Sequence, residues 1–180
     1  ALTDAYSTQD RVVRTISVAV LAVAATIRII QSVRANAITQ ERLVRSALTD
    51  SLTGLPNRIL MLEHIEQAVQ VSWRTHKQPT VLFIDVDRFK NINDSLGHSI
   101  GDDVLMRVAS RLLACVKQEA TVARISGDEF VVLDPTTESP TQSVVLAESI
   151  LEAFREPVPT PEGDMFVTAS IGVAYAPKEL

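Results

Sequence analysis

The sequence predicts an α/β domain with a mixed central β-sheet flanked by helices, preceded by a long N-terminal helix. Three observations carry this expectation. Short runs rich in β-formers, Thr80–Ile84 and Phe166–Tyr175, alternate with stretches whose apolar residues recur every three to four positions. Two more short strands, Thr121–Ile125 and Glu129–Leu133, flank Ser126-Gly127-Asp128 at the spacing of a tight hairpin. Ahead of them the composition shifts to Val, Ile, Leu and Ala, with no charge between Arg14 and Arg28. At 180 residues, 46% of them hydrophobic, the chain suits one core plus a helical extension, divided as residues 1–49 and 50–180.

The first element runs from Arg11 to about Val33, and two readings fit it. A membrane helix over residues 12–33 requires Arg14 and Arg28 to snorkel, because a full span takes roughly 20 apolar residues. Arg34, Arg42 and Arg45 would then put the remainder on the cytoplasmic side of the cell membrane. An amphipathic or coiled-coil helix would instead pack against its own copy in a dimer. No small-residue cleavage site stands near the start, so a signal peptide is not expected. Residues 35–49 continue as a connector helix, with Ile38, Leu43, Ala47 and Leu48 at roughly helical spacing, up to the break at Gly54 and Pro56.

Asn57 is a good N-cap for the next helix. Its expected apolar face is Ile59, Leu62, Ile65, Ala68 and Val69, and it ends near Gln78-Pro79. Thr80–Ile84 follows as a buried strand, then a short helix broken at Leu96-Gly97. A second helix is marked by Val104, Leu105, Val108, Leu112 and Leu113. After the hairpin come a helix over Thr141–Arg155 and a closing strand over Phe166–Tyr175.

Charge narrows the ligand. With 17 basic and 22 acidic residues the net charge is −5, and the basic residues form no evident stripe. Polymeric nucleic acid is therefore not an expected partner, since binding a phosphate backbone takes a concentrated positive face. A single nucleotide remains open, because metal ions, one lysine and backbone amides at a helix start can hold its phosphates. Cys115 is the only cysteine, in an apolar helical pattern, and reads as an inert thiol in a reducing cytosol.

Three groups of residues carry chemistry. Asp85 and Asp87 close an apolar strand, where alternation puts both on one face and leaves the Val86 carbonyl free to turn towards a cation. Mg²⁺ takes one or two carboxylates plus phosphate oxygens, which this pair would suit; taken alone, such a pair also caps loops or meets solvent. In the hairpin, Gly127 lets the backbone approach a phosphate, and Asp128 and Glu129 are adjacent. Alternation allows one of these two acids onto the face of Asp85, and an ordinary hairpin looks the same. The third group is Phe89-Lys90-x-x-Asn93-Asp94-x-x-Gly97-His98-x-x-Gly101-Asp102. Amides around Arg88–Lys90 would receive phosphate oxygens, Lys90 would neutralise charge, and Asn93 with Asp102 offers the donor and acceptor that a guanine edge requires. Turn punctuation and a solvated lysine are the plain alternative.

Joint occurrence is what makes these groups informative. The ordered set is Asp50-x-Leu52-Thr53-Gly54-Leu55-Pro56-Asn57-Arg58, Phe83-x-Asp85-x-Asp87-x-Phe89-Lys90, Gly97-His98-x-x-Gly101-Asp102, Arg124-x-Ser126-Gly127-Asp128-Glu129-Phe130 and Ser170-Ile171-Gly172-Val173-Ala174. It resembles the GGDEF family, whose members condense two GTP into cyclic di-GMP, over about 130 residues. The resemblance implies a fold like that of nucleotidyl cyclases and polymerase palms. It further implies that Asp85, the Val86 carbonyl and Asp128 bind two Mg²⁺ or Mn²⁺ ions, with Asp128 the candidate general base and Lys90 and Glu129 among the catalytic groups. Asn93, His98 and Asp102 would line the guanine and ribose site, and Phe89 and Gly127 would also bind the substrate. One GTP on each of two facing domains makes a homodimer a requirement.

The chain departs from the family pattern at three places. Ser126 replaces the first glycine of the signature, and nucleotide binding is expected to survive it. Lys117-Gln118-Glu119-Ala120 stands where the family's product-inhibition site has Arg-x-x-Asp, so feedback binding of cyclic di-GMP is expected to be missing. Family members also continue beyond Ser-Ile-Gly-Val-Ala into a helix with basic residues and a final strand, so a fragment of a longer protein is expected. The resemblance thus implies a diguanylate cyclase, or else a weak or inactive GTP-binding module governing an attached phosphodiesterase domain. A dimerising scaffold without nucleotide would leave the strand-end carboxylates unexplained.

Overall fold

A computed structural model describes residues 26, 28–34, 47–75, 77–160 and 163–176, and the chain divides into two units, Ala1–Ala47 and Leu48–Leu180. In the first unit residues 28–34 are helical, with Ile29, Ile30 and Val33 exposed. Among the described residues no helix is long and apolar enough to cross a membrane. Most of the apolar run expected over residues 12–33, and residues 35–46 of the expected connector helix, lie outside the described residues.

In the second unit Thr49 bridges Pro56 across a tight loop, and helix α1 (Arg58–Thr75) begins where expected. The Asn57 carboxamide oxygen accepts the amides of Ile59 at 2.9 Å and Leu60 at 3.2 Å, the bonds of an N-cap. The buried face of α1 matches the expected one only in part: Ala68 is buried and Ile65 packs against the same cluster. Met61, Ala68 and Ser72 are buried, whereas Ile59 and Leu62 are more than half exposed. Apolar residues lie all round this helix, so the sheet selects the face: Met61 and Ala68 pack on Ala123, Val131 and Leu133.

Strand β1 (Thr80–Val86), helices α2 (Phe89–Leu96) and α3 (His98–Cys115), strands β2 (Thr121–Ser126) and β3 (Glu129–Asp134), helix α4 (Pro140–Ala153) and the small hairpin β4 (Val158–Thr160) and β5 (Gly163–Met165) lead to β6 (Ala169–Tyr175). The main sheet has the order β2-β3-β1-β6. Every pairing in it is antiparallel, which refines the mixed sheet expected from alternation. The crossover through α2 and α3 does join strands of like direction, β1 and β2, but β3 lies between them. Likewise β3 and β6 run alike with β1 between. This is the split arrangement of interleaved β-α-β units.

Buried Leu82, Ile84 and Val86 of β1 meet Val104, Leu105, Val108 and Leu112 of α3 and Ile150 of α4 in the main core. Leu113 stays exposed. Strand β1 is not buried on both faces as expected: α1 covers β2 and β3, leaving Phe83 of β1 45% exposed. Cys115 is partly buried against the core, and burial raises its thiol above the ordinary value. The β4–β5 hairpin gives no clear strand signal, because Pro159, which pairs with Asp164, removes a ladder donor. Strand β6 accordingly starts at Ala169 rather than Phe166.

Candidate active site

The end of β1 gathers four carboxylates. Asp85 stands opposite Glu129 of β3 and Ser170 of β6. The Val86 amide donates to the Asp128 carbonyl at 3.2 Å, which draws the hairpin turn to the strand end. Burial, together with the negative charges of Asp128, Asp87 and Glu129, pushes the Asp85 carboxyl above its ordinary value. Both hairpin acids therefore act on Asp85. Strand alternation allowed only one, but Asp128 sits in the turn, where alternation does not apply.

Hydroxyl groups divide the four acids into two pairs. Thr168 donates to Asp87 at 2.6 Å and Ser170 donates to it at 2.7 Å. Those two bonds outweigh burial and hold the Asp87 carboxyl below its ordinary value, with Arg88 adding to the effect. Ser126, paired with Glu129 across the turn, donates to Glu129 Oε2 at 2.5 Å. Among the described residues neither Asp85 nor Asp128 has a side-chain hydrogen bond. They are the pair left with uncompensated charge, which is the state a hard cation would relieve.

The hairpin turn has two residues, Gly127 and Asp128. Gly127 has φ 45°, a left-handed conformation that glycine adopts without penalty. Arg124 clamps it from below. Its Nε and Nη2 donate to the Gly127 carbonyl at 2.9 and 2.8 Å, while Nη1 reaches Asp50 at 3.0 and 3.2 Å. Asp50 also accepts the Thr53 amide at 2.8 Å and its hydroxyl at 2.7 Å. Burial alone would raise Asp50, but these bonds and the Arg124 charge outweigh it and hold the carboxyl below its ordinary value. The loop before α1 is thereby tied to the signature turn. Arg124, Asp50 and Ser170 lie within the quoted motifs and Thr168 does not, but nothing local in the sequence pairs residues this far apart.

Arg88 links β1 to α2 with φ 57° and ψ 24°, a left-handed conformation costly for a non-glycine residue. Lys90 is exposed in the first turn of α2. Phe89 is buried and Asn93 half-buried, both facing Gly101 in α3. The Asn93 carboxamide thus lies against the residue preceding Asp102. His98 and Asp102 are exposed in the first turns of α3.

An open cleft of about 920 Å³ lies beside the acids, lined by residues that include Asp85, Asp87, Arg88, Asn91 and Thr168. Asn93, His98 and Asp102 do not line it, so this cleft and the proposed base-recognition residues flank α2 separately. Among the described residues no three or more His, Cys, Asp or Glu side chains are grouped so as to hold a metal. Two carboxylates and one carbonyl form an incomplete donor set, and Mg²⁺ characteristically completes such a set with phosphate oxygens. On that chemistry the residues fit a divalent cation whose remaining ligands come from outside the protein.

Comparison with known proteins agrees with this geometry. Residues 47–180 match the family described as diguanylate cyclase, GGDEF domain. The bifunctional diguanylate cyclase/cyclic di-GMP phosphodiesterase MucR of Pseudomonas aeruginosa is 42% identical over 135 residues, covering 75% of this chain and 20% of MucR. Diguanylate cyclase TpbB of the same species is 38% identical over 137 residues, covering 76% of this chain and 32% of TpbB. The solved GGDEF domain of TpbB superposes with a TM-score of 0.70 at 37% identity, covering 72% of this chain and 76% of that one. The chain therefore spans about a fifth to a third of the length of these curated relatives.

Proposed function

Because the chain belongs to the GGDEF-domain family of diguanylate cyclases, we propose that it condenses two GTP into cyclic di-GMP with release of two pyrophosphates. The observation that carries this reading is the meeting of Asp85 with Asp128 at the β1 end, with hydroxyl donors assigned to Asp87 and Glu129 instead. Asp85, the Val86 carbonyl and Asp128 would hold two Mg²⁺ or Mn²⁺ ions, which when bound neutralise the triphosphate and the departing pyrophosphate. Asn93, His98 and Asp102 hold the base and ribose, while Phe89, expected to contact the substrate, is buried in the core and packs behind Asn93. The backbone at Gly127 approaches the phosphates, and Lys90 donates to their oxygens as negative charge develops.

Asp128 accepts the proton of a 3′-hydroxyl. That oxygen forms a bond to the α-phosphorus of the GTP on the facing domain, and the bond to pyrophosphate breaks. Two such transfers close the ring. One domain supplies half of the reactants, so the active form is a homodimer, and the N-terminal segment expected from the sequence to be helical is the natural element to set its geometry. Attachment to the cell membrane through residues 12–33, with the domain in the cytoplasm, fits the apolar run there. The direct test incubates the full-length protein with GTP and Mg²⁺ and separates the products. Cyclic di-GMP is expected, and a folded dimer that makes none refutes catalysis.

A second reading rests on Ser126, whose hydroxyl engages Glu129 where the family signature has glycine. In it the domain binds GTP with little or no turnover and governs an attached phosphodiesterase domain. Mg²⁺-dependent GTP binding without product would favour it, and absence of GTP binding would reject it along with the first.

A further inference from the structure

Gly101 lies inside α3, where glycine costs about 1 kcal/mol relative to alanine. Its backbone is not left-handed, so conformational freedom does not explain its presence. Space does. A Cβ at Gly101 would stand 3.0 Å from Asn93 Cγ and 3.2 Å from Phe89 Cζ, and would fall inside the van der Waals envelope of Asn93 Oδ1. A Cβ at Gly54, Gly97 or Gly127 would meet nothing within 4 Å. Phe89 and Asn93 are one helical turn apart on the same face of α2, so a single missing methyl group lets both side chains seat against α3.

Among the described residues the half-buried Asn93 carboxamide has no side-chain hydrogen bond. An amide held in that state keeps its donors and acceptor for a ligand. It lies against Gly101, the residue before the exposed Asp102, whose carboxylate supplies an acceptor. We infer that Gly101 is a positioning residue for nucleobase selection: the gap it leaves holds Asn93 at the depth where its amide and Asp102 can both meet one guanine edge. This rests on the guanine-site reading of Asn93 and Asp102. An alanine at 101 would displace the carboxamide from that seat.

The experiment uses full-length protein with Mg²⁺ and compares wild type, Gly101→Ala, Asn93→Ala and the double variant, measuring affinity for GTP and ATP and melting temperature. Gly101→Ala is expected to weaken GTP binding roughly tenfold or more, collapse the preference over ATP and lower the melting temperature. The double variant is expected to regain most of the melting temperature, because the conflict with the Asn93 amide is gone and only the 3.2 Å approach to Phe89 Cζ remains, without regaining GTP affinity. If Gly101→Ala alone does not fold, a folded double variant is the same result. The inference is overturned if Gly101→Ala keeps both GTP affinity and selectivity while Asn93→Ala loses them, an outcome that leaves the guanine-site reading intact. It is also overturned if truncating Asn93 does not recover stability. Asn93→Ala with unchanged GTP and ATP affinities would instead overturn the guanine-site reading itself and this inference with it.

Discussion

At the end of β1 the acids and the turn are held by polar bonds, some local and some long-range. Thr168 and Ser170 fix Asp87, Ser126 fixes Glu129, and Arg124 joins the Gly127 carbonyl to Asp50. Between α2 and α3 no such bond holds Asn93; close packing on Gly101 sets its place. Phosphate chemistry needs charges that stay put while groups of like sign repel, so anchoring with hydroxyls and an arginine suits it. Base recognition needs an amide whose hydrogen bonds remain available, so shape suits that. The comparison predicts different responses to substitution: removing an anchor at the strand end should cost stability or turnover, whereas crowding the helix pair should cost selectivity.

The largest effect is expected at an unanchored acid. Asp85→Asn should reduce cyclic di-GMP formation by at least about a hundredfold, as loss of a charge that acts in the transition state does. Its melting temperature should not fall, because the wild-type carboxylate is repelled by Asp128, Asp87 and Glu129. A rate within threefold of wild type would place the chemistry elsewhere. Next is the clamp. The Asp50 and Arg124 side chains are only 22% and 12% exposed, so Asp50→Ala should cost about 1–3 kcal/mol in denaturant unfolding by leaving Arg124 unpaired. Turnover should fall as well, since the Gly127 turn loses its tether.

Acid should remove the same contribution without mutation. The folded-state value of Asp50 lies below its ordinary 3.8, so its stabilisation is complete above that value and fades as pH falls through the lower folded one. The stability gap between wild type and Asp50→Ala should therefore be constant near neutrality and shrink only below about pH 4. A gap that closes by pH 6 would assign the stabilisation to another group. The smallest effect is expected at Ser126, an exposed position where one hydrogen bond to Glu129 is at stake. Ser126→Gly should shift stability by less than about 1 kcal/mol and leave GTP affinity within threefold.

Much of this arrangement is legible in the sequence because it is local. The Asn57 cap, the two-residue turn at Gly127-Asp128 and the spacing of Asp85 and Asp87 follow from side-chain chemistry and strand period. That Asp85 and Asp128 share a site is what the resemblance to the GGDEF family implies; strand spacing alone leaves open which hairpin acid faces Asp85. What sequence does not carry is pairing at a distance. The Arg124 bond to Asp50 spans 74 residues and the Ser170 bond to Asp87 spans 83, and no periodicity reports either. The buried face of α1 is legible only in part for a related reason: with apolar residues on every side, only the sheet beneath decides that Met61 goes in and Leu62 stays out.

The most direct test is a crystal structure of the full-length protein with Mg²⁺ and a GTP analogue that cannot transfer its α-phosphate. One Mg²⁺ ligated by both Asp85 and Asp128, with phosphate oxygens completing its shell and Asp87 still bonded to Thr168 and Ser170, is the predicted result. A nucleotide bound with no ion shared between Asp85 and Asp128 would contradict it.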